Sequence, residues 1–163
     1  MGEYDDLLRA AVLRAKRPAG QVLARALARL AIERHGDALR AWAPDLVVPA
    51  PMHWLRRAWR GANSPETVAE LAAGAVAAAD ARSGLRRQRF TQPQAKLPER
   101  ERRANVRGAF RVTRSCNFQD ARVLLVDDIL TTGATLGEMG RVVRAAGAAA
   151  VAALVIARAS QPA

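Results

Sequence analysis

The chain has 163 residues, half of them hydrophobic, and its 26 Lys and Arg against 15 Asp and Glu give a formal charge of +11. This composition excludes a wholly disordered chain and predicts one domain with a hydrophobic core, with or without a small cap. The single cysteine, Cys116, excludes an internal disulfide or a cysteine-based zinc ribbon within this chain, and no apolar run reaches the ~20 residues that a membrane span needs.

The first 44 residues predict a helical cap. Residues 4–17 have the pattern of an amphipathic helix that ends before Pro18, and residues 21–35 repeat apolar side chains at helical spacing, with Gly36 as the stop. A short piece through Trp42 follows and ends before Pro44. The first eight residues are acidic where a signal peptide would be basic and apolar, so we expect a cytoplasmic protein without membrane insertion.

Residues 45–163 predict an α/β core. The pattern gives a strand at 45–49 and a loop over 50–63, and it then gives a helix to about residue 79 that begins at the capping residue Ser64. Short strands follow at 85–90 and 109–112, and between them lies a polar stretch with a helical turn after Pro98. Residues 85–114 hold ten basic and two acidic residues, which is +8 of the total charge. Two explanations of this bias stay open: an arginine-rich composition of the genome, or binding of phosphates by the arginines.

The last third of the chain predicts a parallel βαβ unit. Residues 122–127 form an apolar run that ends in acid, residues 127–135 indicate a turn, and apolar residues at helical spacing continue to Gly147. A further strand is predicted at 150–157. Strand, helix and strand within about 35 residues are typical of a right-handed parallel crossover.

The turn at 127–135 has a chemical meaning. The amides at the start of the helix and the hydroxyls of the threonines suit a phosphate, and Gly133 permits close approach of the backbone. Asp127 and Asp128, just before, can accept hydrogen bonds from a diol. A ribose 5-phosphate satisfies both ends, whereas the motifs of a P-loop and of a dinucleotide fingerprint are missing. An ordinary strand-to-helix turn with an acidic cap is the alternative.

Four segments carry a resemblance to a known family. VLLVDDILTTGAT at 123–135 resembles the phosphoribosyl-pyrophosphate (PRPP) signature of type I phosphoribosyltransferases. VVPAPMHWLRRAWRGAN at 47–63 and RRQRFTQPQAKLPERERRANVRGAF at 86–110 resemble two further elements of the ComF-type competence proteins, and YDDLLRAAVLRAKR at 4–17 resembles the segment ahead of their core. The resemblance covers roughly residues 4–157.

The resemblance implies a type I phosphoribosyltransferase fold: a mostly parallel sheet flanked by helices, with a small helical hood at 1–44 and a core at 45–163. It implies PRPP as the substrate, with Mg²⁺ entering through PRPP and not through protein side chains, and a mobile lid at 91–108. By similarity, the ribose hydroxyls would be held by Asp127 and Asp128, and the 5-phosphate by Thr131, Thr132, Gly133, Ala134 and Thr135. The pyrophosphate side would be formed by Ala50, Pro51, Met52, His53 and Arg57, and the lid positions by Gln94, Arg100 and Asn105. The candidate catalytic residues are Asp127, Asp128, Gln94 and Arg100.

The chain departs from the family pattern at several positions. It contains no four-cysteine zinc module, and Ala50, Ala62 and Ser64 replace the usual Val, Phe and Gln. Thr131 stands where purine-salvage enzymes carry an acid, which argues against purine salvage and leaves no evident general acid or base in the turn.

Three functions stay open at this point. The first is phosphoribosyl transfer to an unknown acceptor in a ComF-like role in DNA uptake. The second is a non-catalytic PRPP-sensing or single-stranded-DNA-binding module, in which Trp54 and Trp59 would stack on bases or, alternatively, pack against the hood. The third is a paralogue with neither activity. The oligomeric state does not follow from the sequence.

Overall fold

The computed structural model describes residues 2–3, 6–55, 57, 63–92 and 97–158. Two helices come first, separated by a 3₁₀ turn at Pro18–Gly20, and a strand precedes them. In chain order the elements are β1 (Gly2–Glu3), α1 (Asp6–Ala15), α2 (Gln21–Trp42), β2 (Leu46–Pro49), α3 (Ser64–Val76), β3 (Ala79–Asp80), β4 (Leu85–Arg87), α4 (Glu99–Val106), β5 (Phe110–Val112), β6 (Arg122–Leu130), α5 (Ala134–Ala145) and β7 (Ala150–Arg158).

The main sheet has the strand order β1-β7-β6-β2-β3, and all of its neighbouring strands are parallel. β6 lies in the middle, paired with β2 on one side and with β7 along nearly its whole length on the other. β4 and β5 form a separate antiparallel ribbon. A central parallel strand is covered on both faces, which explains why β6 is an almost continuous apolar run.

Alternate residues of β6 enter two hydrophobic cores. Leu124 and Val126 pack with α1, α2 and α3 on one face, and Val123 and Leu125 pack with α5 and the β4–β5 ribbon on the other. The described part of the first 44 residues therefore shares the core of the sheet: α1 and α2 form one of its covering layers. The domain boundary at residue 44 stays a prediction.

Three local expectations from the sequence are wrong. Gly36 does not end α2, because the apolar stripe continues to Leu39 in the core, and the gain from this packing exceeds the cost of one glycine in a helix. The helix ends at Trp42, and its C-cap, Ala43, has a left-handed backbone (φ 49°) just before Pro44. The first helical residue of α3 is Ser64, so Asn63 holds the cap position.

The third correction concerns the predicted turn at 127–135. β6 continues through it to Leu130, because β7 offers ladder partners as far as the pair Leu130–Arg158. The true turn is only residues 131–133.

Within the described residues, no helix is both long enough and apolar enough to cross a membrane.

Candidate functional site

The carboxyl ends of β2 and β6 meet at one edge of the sheet. Pro49 is in register with Val126, and the N–H of Ala50 donates to the carbonyl of Val126 at 2.7 Å. The loop that follows β2 therefore starts directly beside Asp127. In open α/β sheets this edge is where ligands bind. Two segments that the sequence singled out separately are thus brought together.

A small hollow lies at the end of β6, lined by Asp127 and by residues 129–136. Gly133 has a φ of 72°, a left-handed conformation that a side chain would strain, and α5 begins directly after it. The N–H of Gly137 donates to the Gly133 carbonyl at 2.7 Å, and the Thr132 hydroxyl accepts the N–H of Ala134 at 3.4 Å. The first amides of a helix and its dipole make such a hollow suitable for a phosphate.

The two aspartates have different surroundings. Asp127 lines the hollow, and its Oδ1 accepts the backbone N–H of Asp128 at 2.9 Å. Asp128 is buried, and its Oδ2 lies 2.9 Å from Nζ of Lys16, which comes one residue after α1. The pair therefore lies at the end of β6 with one carboxylate toward the hollow and the other joined to the N-terminal helix.

Burial raises the pKa of Asp127 to about 7, and the negative charge of Asp128 adds to the rise. The backbone N–H of Asp128 and the positive charges of Lys16 and Arg87 oppose it. Close to neutral pH, the charge of this aspartate is therefore sensitive to small changes in its surroundings.

The loop after β2 is fixed from behind by α3. Asn63 Nδ2 donates to the carbonyl of Ala50 at 3.1 Å and to Glu66 Oε1 at 3.2 Å. Glu66 also accepts two hydrogen bonds from the guanidinium of Arg57, at 2.6 and 2.8 Å. Arg57, predicted on the pyrophosphate side, is therefore engaged with a carboxylate, and Asn63 and Glu66, which hold this loop, were not among the site residues predicted from the sequence.

His53 joins the loop after β2 to the segment that precedes α4. It is buried, its Nδ1 accepts the N–H of Leu55 at 3.4 Å, and its ring lies 5.8 Å from that of Trp54 and 5.2 Å, edge-on, from that of Phe90. Trp54 and Phe90 are 67% and 54% exposed. Phe90 is absent from the residues predicted from the sequence, although an aromatic residue next to a basic stretch in an aromatic-poor chain is a usable signal.

Asn105 holds the two ends of the predicted lid together. Its side chain accepts the N–H of Gln92 at 3.2 Å and donates to the Gln92 carbonyl at 3.0 Å. Arg89 donates to the carbonyls of Asn105 and Arg107. The Arg100 side chain is 86% exposed and lies 3.8 Å from Glu101. Gln94 lies outside the described residues, as does Trp59, and the roles predicted for all these positions stay predictions.

The Phosphoribosyl transferase domain model matches residues 18–163. The chain belongs to the phosphoribosyltransferase family. Among curated proteins, the chain is 32% identical to Competence protein F of Haemophilus influenzae over 127 residues. This alignment covers 76% of this chain and 56% of that protein. It is 34% identical over 133 residues to DNA utilization protein YhgH of Salmonella typhi, covering 79% of this chain and 57% of that protein. The chain thus spans just over half the length of these relatives.

Solved structures confirm the predicted fold class. The allosteric regulatory enzyme of purine biosynthesis superposes with a TM-score of 0.54 at 22% identity, over 82% of this chain and 25% of that one. Purine phosphoribosyltransferase from Pyrococcus horikoshii Ot3 gives 0.51 at 17% identity, over 83% and 78%. The fold is that of the type I phosphoribosyltransferases. The family match and the two curated relatives together indicate that the chain is a ComF-type member of the family.

Proposed function

We propose that this protein binds Mg-bound PRPP at the end of β6 and transfers the phosphoribosyl group to an acceptor with release of pyrophosphate. One observation carries the proposal. Two adjacent carboxylates, the half-buried Asp127 and the buried Asp128, lie a few residues before the Gly133 turn and the start of α5. A place for a diol and a place for a phosphate are therefore next to each other. The names of the relatives support a role in DNA uptake or use, and a cytoplasmic location stays a prediction.

The proposed roles are those that the family resemblance implies, and the geometry at the end of β6 supports them. Asp127 and Asp128 accept hydrogen bonds from the ribose hydroxyls, and residues 131–135 hold the 5-phosphate with amides and hydroxyls. The loop at 50–53 faces the diphosphate, whose charge Mg²⁺ partly neutralises as part of the substrate. The bond from C1 to the diphosphate oxygen breaks while the acceptor adds to C1 through an oxocarbenium-like state, and the acceptor's proton passes to the released diphosphate or to solvent. Because Thr131 offers no acid or base, most of the lowering of the activation barrier would come from positioning of the substrates and from electrostatic stabilisation of the diphosphate.

Calorimetry with PRPP and Mg²⁺ tests the site. Asp127→Asn combined with Asp128→Asn should weaken binding about 100-fold or more, since two hydrogen bonds to charged acceptors contribute about 1.5–3 kcal/mol each. Asp37→Asn combined with Asp120→Asn is the matched control: it changes the net charge equally at two exposed positions. Equal affinity in the first pair would exclude this site.

A pyrophosphate-release assay then separates transfer from sensing. Nucleobases, amines and single-stranded DNA are supplied in turn as acceptors with PRPP and Mg²⁺. Release that depends on one of them supports the enzyme. Tight PRPP binding with no release above the rate of the double variant favours the sensing module.

A second candidate function, binding of single-stranded DNA, is favoured by one observation. The exposed rings of Trp54 and Phe90 flank His53 next to a strongly basic stretch. Exposed aromatic rings beside arginines are typical of surfaces that stack bases and neutralise phosphates. If Trp54 stacks a base, Trp54→Ala should cost about 1–3 kcal/mol of binding free energy without changing its salt dependence. Leu55→Ala, which removes a neighbouring exposed apolar side chain without a ring, is the control. Equal affinities of wild type and Trp54→Ala would exclude stacking by this residue.

A further inference from the structure

A lysine from the N-terminal layer reaches the proposed PRPP site. Lys16 follows α1, yet its Nζ lies 2.9 Å from Oδ2 of Asp128 at the end of β6. Both side chains are mostly buried, with 27% and 12% exposed. Lys16 is one of only two lysines among 26 basic residues, and it lies ahead of residues 18–163 that the family model matches. Neither the turn motif nor the family match therefore assigns it a role.

Two neighbouring carboxylates in a largely buried position oppose each other's ionisation. A cation in contact with one of them lowers the electrostatic cost of keeping both charged. The charged groups that act on Asp127 are Asp128 on the same strand, Lys16 beyond α1 and Arg87 of β4. Of the two cations, Lys16 forms the ion pair with Asp128, whereas the Arg87 guanidinium lies over the ring of Phe110 at 5.2 Å.

We propose that Lys16 is a positioning residue of this site: its ion pair with Asp128 places a positive charge beside the two carboxylates and thereby lets both accept hydrogen bonds from ribose hydroxyls. The inference rests on the proposed function, because it takes the diol of PRPP as the ligand. It makes the residue after α1 a part of the binding site, far in sequence from the turn at the end of β6. The raised pKa of Asp127 is consistent with it, since loss of Lys16 would raise this pKa further.

The experiment measures PRPP affinity by calorimetry for wild type, Lys16→Met, Lys16→Gln and Lys16→Arg at pH 7 and pH 9. Without the cation the pKa of Asp127 rises above its value of about 7, and a rise of one unit lowers the charged share of this group at pH 7 about fivefold, so the Met and Gln variants should bind about fivefold more weakly. At pH 9 Asp127 is charged in every variant, and the ratio to wild type should shrink. Lys16→Arg, which keeps the charge, should recover much of the affinity.

Arg25→Met is the matched control, since it removes one positive charge and an ion pair with Glu70 between α2 and α3. It corrects for the general attraction of PRPP to a basic protein. PRPP also titrates, but equally for every variant, so the ratios isolate the protein. Circular dichroism establishes that each variant is folded, and two neutral variants are used so that the result does not depend on one of them.

The outcomes separate the inference from the function beneath it. If wild type binds PRPP and the neutral variants bind equally well, or weaker by the same factor at both pH values, Lys16 is not a positioning residue and the PRPP site stands. If folded wild type does not bind PRPP, the proposed function fails and this inference fails with it.

Discussion

The end of β6 and the described parts of the lid segment, residues 91–92 and 97–108, are held in different ways. β6 is hydrogen-bonded to strands on both sides, and its side chains enter two hydrophobic cores. In the lid segment Val106 enters one of these cores, and the other contacts are polar: Asn105 bonds to the backbone of Gln92, and the N–H of Gly108 donates to Glu138 at 2.8 Å. Local stability follows buried contacts, so we expect the lid segment to open more readily than the end of β6.

The two halves also differ in charge. The strand end carries two acidic side chains, one of them buried, whereas the stretch around the lid carries most of the surplus of arginine. A sugar needs acceptors for its hydroxyls and a diphosphate needs cations, so under the proposed function the acidic half would bind the ribose of PRPP and the basic half its diphosphate. The following predictions test this division.

The largest effect is expected at Asp127. Its raised pKa means that the folded state holds a proton more tightly than the unfolded state, whose ordinary value is 3.8. The free energy of unfolding that it contributes is therefore fully present below pH 4 and is lost as the pH rises to about 7. Asp127→Asn should remove this slope and be more stable than wild type by about 2–4 kcal/mol at pH 8, given 1.4 kcal/mol per pKa unit. Urea unfolding at several pH values measures it.

Asp120→Asn serves as the control, because it removes a carboxylate at an exposed position. Its stability should follow the pH dependence of wild type. A wild type and an Asp127→Asn variant with parallel pH profiles would show that the carboxylate at the strand end is not protonated near neutrality.

The lid segment should respond to PRPP more than the strand does. Amides of the described residues 97–108 should exchange fast without ligand and slow by up to about 100-fold at a PRPP concentration 100 times Kd, because openings that release ligand become costlier. Amides of 123–126 should be slow in both states. Hydrogen exchange with mass spectrometry measures both regions. The double variant of Asp127 and Asp128 should show no slowing, and unchanged exchange in wild type would exclude a closing lid.

A smaller effect is expected from Asn105→Ala. The change removes two hydrogen bonds to the backbone of Gln92, each worth about 0.5–1.5 kcal/mol. Exchange should therefore rise about tenfold around residues 91–92 and in α4, and stay unchanged in β6. Gln88→Ala, which removes one exposed hydrogen bond to the Gly108 carbonyl, should have a weaker effect. If the two variants behave alike, Asn105 does not hold the ends of the segment.

The sequence predicted those features of the site that are set by residues adjacent in the chain. The apolar run of β6, the paired acids and the Gly133 turn are contiguous, so their chemistry follows from the order of the residues alone. What it missed depends on the packing of distant segments: the end of β6 at Leu130 is set by its partner strand β7, and the length of α2 by the burial of Leu39. Lys16 could be noticed as a rare lysine, but its pairing with Asp128 requires the fold.

The smallest effect concerns nucleic acid and the basic half of the site. The three arginines at 86, 87 and 89 differ in the structure: Arg87 donates to Thr91 and lies over Phe110, and Arg89 donates to backbone carbonyls, whereas Arg86 is exposed on β4. Arg86 is therefore the position at which a lost phosphate contact can be separated from lost structure.

If single-stranded DNA binds here, Arg86→Ala should flatten the slope of log K against log salt by about 0.7, the single-strand value for one phosphate. Fluorescence titrations from ~50 mM salt upward measure it. Arg25→Met, an equal change of charge on α2, should leave the slope unchanged, and wild type that does not bind at ~50 mM salt would exclude the DNA function altogether.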